Sequence, residues 1–254
     1  MSRKVQSLER GLQVLEALVR VGPTGVTDLA AALELDKTVV HRLLATLHSM
    51  GYVSQDTNRK YNVGAKLRLI GAKTLASLDL RSLALPYMQQ LAEHSKGVSH
   101  LAKMAESRAV YIERVHHPAL TVSSTNVGGE APGYCSAAGK VLWAYLPQLE
   151  LNDLLDRVEF RQHTSNTITD RVRLQQHLAQ IREQGYALDR EEHRLGLMGM
   201  GAPVLDHTGT VIASLCVAEF ASRSDEQTRA LTLDLVEESA RRLSAEMGYS
   251  DGEF

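Results

Sequence analysis

Residues 36–53 read DKTVVHRLLATLHSMGYV. Val40, Leu43, Leu44 and Leu47 recur at the i, i+3, i+4, i+7 spacing of one helical face. Thr38, His41, Arg42, Ala45 and Ser49 fall on the opposite face. These side chains are small, polar or cationic, so that face can come close to phosphates and base edges. Asp36 stands where an N-cap is wanted and Gly51 where a helix stops. Upstream, Thr27–Leu33 reads as a short helix with its own cap, and Glu34-Leu35 leaves room only for a sharp corner. Downstream, Tyr52-Val53 and Tyr61-Asn62-Val63 read as short strands. The polar turn Gln55–Lys60 between them carries Arg59 and Lys60. One amphipathic helix is ordinarily just a solvated helix. The short helix, the corner and the basic hairpin around this one make a winged helix-turn-helix that binds DNA the better reading.

The rest of the chain agrees with a small reading head on a larger body. Its 254 residues suffice for two ordinary domains. With 44% hydrophobic and 23% charged residues, the composition is that of a folded chain. No apolar run reaches the roughly 20 residues of a membrane span, and MSRKVQSLERG lacks the apolar core of a signal peptide. Two cysteines, Cys135 and Cys216, make no disulfide framework, so a reducing cytoplasm is expected. The net charge of −2 is unevenly spread. Residues 1–80 hold eleven Lys/Arg and seven Asp/Glu, a balance of +4, leaving −6 for the remainder. A basic head on an acidic body would present only the head to phosphates.

In order, Arg3 and Lys4 form a basic arm. Leu8, Leu12, Leu15 and Val19 predict a first helix from Ser7 to about Val21, ended by Gly22-Pro23-Thr24-Gly25. After the wing, residues 65–80 predict a linking helix. Its apolar stripe, Leu67, Ile70, Leu75 and Leu78, wants a second copy of itself, because two half-sites need a dimer. A helix from Leu83 to about Gly97 follows. Strands are then expected at Val98–Ala105, Ala109–Val115 and Leu120–Ser124, with Glu106-Ser107-Arg108 as a turn. Val127–Tyr134 reads as a loop, and Cys135–Lys140 leads into a helix through Tyr145. Helices are expected at Leu149–Arg157 and Asp170–Glu183, the second capped by Thr169 and stopped by Gly185. Tyr186–Leu188 leads into the charged loop 189–194, and Met198–Leu205 and Val211–Glu219 read as strands joined by the turn 206–209. Ser224–Gln227 is a capping box for a helix to about Met247. The fold class is α+β: domains 1–64 (winged helix-turn-helix), 65–80 (linking helix) and 81–254 (an antiparallel sheet flanked by helices).

The motifs resemble the IclR family of bacterial transcription regulators over essentially the whole chain. The resemblance is carried by VQSLERGLQVLEAL (5–18), residues 25–53, KYNVGAKLRLIG (60–71), YCSAAGKVLWAYL (134–146), NTITD (166–170) and residues 181–215. The spacing of Gly185, Asp189, Glu192, Gly201, Pro203 and Asp206 is its specific part. Asp79-Leu80-Arg81, Asn166-Thr167-Ile168-Thr169 and the terminal LSAEMGYSDGEF look closest to repressors of sugar-acid catabolism such as the 2-keto-3-deoxygluconate regulator. The resemblance implies a GAF-like effector domain, a palindromic operator, a homodimer or homotetramer, and a small carboxylate effector. It implies a pocket lined by Ala137, Ala138, Asp189, Leu197, Gly199, Cys216 and Ala218. The family usually carries Cys at the position of Gly199, an aromatic at Leu205, and often Ser at Cys216 and Ala218. The pocket is therefore expected to be roomier and less polar than a sugar-acid site. A sugar acid or 2-oxo acid is the first expectation and an aromatic carboxylate the second.

Lys37, Thr38, Val39, His41 and Arg42, with Arg59 and Lys60 on the wing, are the expected DNA contacts. Lys37 suits a phosphate. Arg42 suits either a guanine or a phosphate. Asp189 beside a carboxylate ligand makes sense only if backbone amides attract the anion, and the Ala137-Ala138-Gly139 helix start could supply them. Asp189 would then accept a ligand hydroxyl, with Glu192 holding its loop. The cysteines lack C-x₂-C spacing and His116-His117 point apart on a strand, so neither metal nor cofactor is expected. Two other classes compete: an enzyme with Cys135 as nucleophile, which lacks any nucleophile-elbow pattern, and an architectural DNA binder whose body ignores ligands.

Overall fold

In a computed structural model of the chain, residues 5–76, 78–118, 126–223 and 225–250 are described. Backbone contacts divide the chain into a unit ending at Leu78 and a unit spanning Asp79–Tyr249.

The first unit holds α1 (Gln6–Val21), α2 (Val26–Ala32), α3 (Lys37–Ser49), the antiparallel hairpin β1 (Val53–Gln55) and β2 (Tyr61–Val63), and α4 (Ala65–Ala76). Its core joins Val14, Ala17 and Leu18 to Leu29, Val40, Leu44, Val53 and Tyr61. α3 starts where Asp36 accepts the Thr38 N–H at 2.7 Å. The corner before it is made by Glu34, whose φ of 53° is the left-handed conformation the turn needs. The first helix forms as expected, with Val14, Ala17 and Leu18 facing the core and Leu8, Leu12 and Val19 50–62% exposed. Two expectations are corrected. Thr27 caps nothing, since α2 begins at Val26 after Gly25. The linking helix stops at Ala76 rather than 80, because Asp79 caps the next helix by accepting from Arg81 N–H and the Ser82 hydroxyl. Gly64 admits no side chain, as a Cβ there would overlap the Gly51 carbonyl.

The second unit is a six-stranded antiparallel sheet in the order β5-β4-β3-β8-β7-β6. Its strands are β3 (Val98–Ala105), β4 (Arg108–His116), β5 (Glu130–Pro132), β6 (Ala187–Arg190), β7 (Leu197–Leu205) and β8 (Val211–Phe220). α5 (Leu80–Ser95) and α9 (Glu226–Glu246) cover one face over Leu101, Met200, Val204, Leu215 and Val217. α6 (Ala137–Ala144) covers the other, backed by α7 (Gln148–Arg157) and α8 (Arg171–Gln184) through Trp143, Leu154, Leu174, Leu178 and Ile181. All eight residues of α6 are buried, as its apolar sequence requires.

Here too the sequence reading needs correction. Leu120–Ser124, expected as a strand, lies outside the described residues. β5 falls inside the expected loop 127–134, paired with Arg108–Val110 of β4. Arg108 belongs to that strand, which leaves a turn of two residues with Glu106 at φ 52°. α5 begins at Leu80 rather than Leu83. Asp189 and Arg190 belong to β6, not to a loop. Asp170, not Thr169, caps α8 through Arg173 N–H. Asp225 caps α9 through Thr228 N–H. At α8 the carboxylate one residue further on takes the amide in place of the predicted hydroxyl, and Ser224 lies outside the described residues.

Candidate DNA interface and effector site

Along α3, Lys37, Thr38, His41, Arg42, Ala45, Thr46 and Ser49 are exposed, and Val39 is half-buried. Four of the five expected helix contacts therefore lie on a surface that the core leaves open, with Val39 at its edge. In the hairpin, Asp56 Oδ1 accepts Asn58 N–H at 2.9 Å and Lys60 N–H at 2.8 Å, which folds the tip. Arg59 then takes φ 60°. That conformation costs a residue with a Cβ about 1–2 kcal/mol. Arg59 and Lys60 stand exposed at the tip. Thr24 pairs with Tyr61 as a short third strand that ties the wing to the end of α1.

In the second unit, the expected pocket residues come together where α6 starts. Asp189 pairs with Gly199 across β6–β7, and Gly199 with Ala218 across β7–β8. Cys216 sits in the next row opposite Gly201, and Leu197 lies two residues along β7 from Gly199. Ala137 closes over them. A Cβ built on Gly199 would lie 3.1 Å from Ala137 Cβ and 3.2 Å from Asp189 Cβ. The glycine therefore does not widen the site, as its sequence suggested. It lets the helix start settle onto the sheet, and Ala137 takes the space.

The helix start is a set of donors. Ser136 Oγ accepts Gly139 N–H at 3.1 Å and donates to Pro132 O at 2.7 Å. Among the described residues no acceptor meets the Ala137 and Ala138 amides. Unpaired first-turn amides with the helix dipole behind them attract anions. Asp189 faces the same spot, 8% exposed. Burial pushes its carboxyl up to about 7, against the downward pull of Glu192 N–H and the Lys140 ammonium. Near neutrality it is thus partly protonated, able to donate a hydrogen bond and easy for an anion to approach.

Several contributors were missed. Lys140 is fully buried beside Glu192, with which it forms an ion pair. Its ammonium also donates to Leu188 O at 2.6 Å and lies 3.3 Å from His177 Nε2. Burial and the Lys140 charge push His177 down to about 4, so the neutral ring can accept from the ammonium. Thr167 Oγ1 donates to Glu192 O at 2.6 Å and Thr164 Oγ1 to Glu191 O at 2.7 Å, clasping the turn after β6. Across the sheet, His100 is paired with Cys216 and its ring stands 4.3 Å from that of Tyr111. Burial pushes His100 down to about 3 and the Tyr111 hydroxyl upward. The alternation along β3 already placed His100 and Ala102 on one face, the one signal that could have found it. Cys135 is fully buried, and burial with the Asp189 and Glu192 carboxylates pushes its thiol up to about 12. A nucleophile needs the thiolate, so this cysteine is in the wrong state for that chemistry. Among the described residues no group of three or more His, Cys, Asp and Glu could hold a metal. Among them no helix is long and apolar enough to cross a membrane.

A winged helix-turn-helix unit followed by an α+β unit built on a six-stranded antiparallel sheet points to a class, the DNA-binding transcription regulators. The IclR helix-turn-helix profile matches residues 7–57, and the profile of the bacterial transcriptional regulator IclR C-terminal domain matches 72–245. The chain belongs to the IclR family. It is 34% identical over 247 residues to the HTH-type transcriptional regulator XynR of Escherichia coli, covering 96% of this chain and 98% of that one. It is also 34% identical to KdgR of the same organism, covering 98% and 95%. The crystal structure of the Agrobacterium tumefaciens repressor BlcR shares the fold, with a TM-score of 0.84 and 22% identity over 98% of this chain and all of that one.

Proposed function

We propose that this regulator is a cytoplasmic repressor of a catabolic operon, and that a small carboxylate bound at the start of α6 controls its hold on a palindromic operator. Thr38, Val39 and Arg42 meet the major groove, Lys37 and His41 meet the phosphates along it, and Arg59 and Lys60 meet the phosphates or minor groove beside it. The effector's carboxylate takes the Ala137 and Ala138 amides. Asp189 meets its neighbouring oxygen, and Leu197, Gly199, Cys216 and Ala218 form the apolar floor. The observation that carries this is the coincidence of two helix-start amides that meet no acceptor among the described residues with the buried Asp189 carboxyl beside them. A sugar acid or 2-oxo acid is favoured over an aromatic carboxylate, because Ala137 occupies the space that Gly199 would otherwise leave for a ring. Likeness to KdgR points the same way.

The working unit is a dimer, extended in some states to a tetramer. Val5, Leu8, Leu12 and Val19 line one side of α1, and Leu69 and Ile70 stand out from α4, all at least 42% exposed in the single chain. Apolar stripes of this kind mark partner surfaces. A thermal-shift screen of the full-length protein against sugar acids, 2-oxo acids and aromatic carboxylates tests the effector class. At a hundredfold excess over Kd a ligand stabilises by about 2.7 kcal/mol. Shifts are expected from the first two groups. A response confined to aromatic acids would overturn the choice of effector, and no response to any carboxylate would overturn the site.

A further inference from the structure

The outward midline of α3 runs Thr38, Arg42, Ala45, Ser49, at i, i+4, i+7 and i+11. Lys37 and His41 lie together toward one flank. The hydroxyls of Thr46 and Ser49 on this surface are already engaged, and Thr38 gives its backbone N–H to the Asp36 carboxylate at 2.7 Å. Thr46 Oγ1 donates to Arg42 O at 3.0 Å, and Ser49 Oγ donates to Thr46 O at 2.8 Å. Among the described residues nothing holds the Arg42 guanidinium, which is exposed at the centre of the face. The midline thus offers bases one fork of donors set among methyl groups, those of Thr38 and Ala45, with the Thr46 methyl beside them.

We propose that base reading by this helix consists of one polar contact, Arg42 to a guanine, flanked by methyl contacts from Thr38 and Ala45 to thymines. Each operator half-site then carries one guanine fixed by Arg42 within an A·T-rich surround. The chemistry follows from the grooves. Guanine O6 and N7 match the fork of an arginine bidentately, while the thymine C5 methyl is the base feature that an apolar side chain recognises. A hydroxyl returned to its own helix contributes its methyl and not its donor. Lys37 and His41, on the flank, take phosphates and carry no sequence information. This inference rests on α3 being the DNA-reading helix.

The test is selection of binding sequences from a random duplex pool by the full-length protein at physiological salt. Wild type is expected to enrich a palindrome with one invariant guanine in each half. Arg42→Ala, at an exposed position where alanine favours helix, should flatten that column alone. Discrimination there should fall from about tenfold or more to near equality, with the A·T columns retained. In the enriched duplex, replacing a flanking thymine by deoxyuridine should weaken wild type about fourfold, the transfer worth of one methyl. Thr38→Ser, which removes the methyl and leaves the Asp36 cap on the backbone N–H, should bind thymine and uracil alike at its position. Two results would overturn the proposal: Arg42→Ala weakening all sequences equally with every column intact, as a phosphate contact would, or indifference of wild type to every thymine methyl. Failure of wild type to enrich any sequence would instead remove the DNA-reading role of α3, and this proposal with it.

Discussion

Arg59 holds a left-handed backbone at the tip of the wing, where glycine would sit without strain. A strained cation on an exposed turn is what one expects if the charge is kept for a ligand. Arg59→Gly should therefore stabilise the head by about 1 kcal/mol in denaturant unfolding. It should also weaken DNA binding and lower the slope of log affinity against log salt by about one. Asp189 makes a second prediction. Its folded-state carboxyl, pushed up to about 7, binds more protons than the unfolded chain between about pH 4 and 7. Its contribution to stability thus falls as pH rises through that window and is level above it. His100 and His177, pushed down to about 3 and about 4, slope the other way. The difference between wild-type and Asp189→Asn stability curves isolates the carboxyl, and parallel curves would contradict the burial argument. Of these residues, Arg59, Asp189 and the polar face of α3 stood out in the sequence, because charge lay at positions a motif had marked. The Lys140–Glu192–His177 cluster was not, since a buried ion pair joins residues whose closeness only the tertiary fold decides.

α6 is the element on which the effector unit turns. It brings the Ala137 and Ala138 amides to the sheet at its start and buries Lys140 one turn on. Removing one partner from a buried ion pair leaves a charge without compensation, at a cost of about 3–5 kcal/mol. Glu192→Gln should lower urea stability by that much. The double variant Lys140→Met with Glu192→Leu should recover most of it, because no charge then remains buried. A loss under about 1 kcal/mol in the single variant would mean that water reaches the pair. At this scale the sequence told element types well and boundaries poorly. Periodicity marks where an apolar stripe lies, not whether it is covered, and Leu8, Leu12 and Val19 lie exposed on the helix they predicted. β5 was hidden because a three-residue strand among glycines and prolines has no alternation to display.

At the scale of the molecule, family motifs spread over the chain made the two-part organisation legible. The boundary was less so: α4 ends where Asp79 starts a new helix, a competition between caps that periodicity cannot decide. The apolar stripes of α1 and α4 lead to an association prediction. Ile70→Glu and Leu12→Glu place charges where a second copy would pack, and both residues are already exposed, so each variant should fold. Sedimentation should show wild-type dimers or larger and dissociated variants that bind a palindrome far more weakly. Variants that stay dimeric would place the interface elsewhere. The central claim is that occupation of the α6 recess governs DNA affinity, and the most direct measurement is the affinity of the full-length protein for its selected palindrome, with and without a saturating carboxylate from the thermal screen. A change of tenfold or more, a coupling of about 1.4 kcal/mol, that disappears in Asp189→Asn is the predicted result. Equal affinity with and without every carboxylate that binds would leave a DNA-binding protein whose body does not control its head, and would contradict the account.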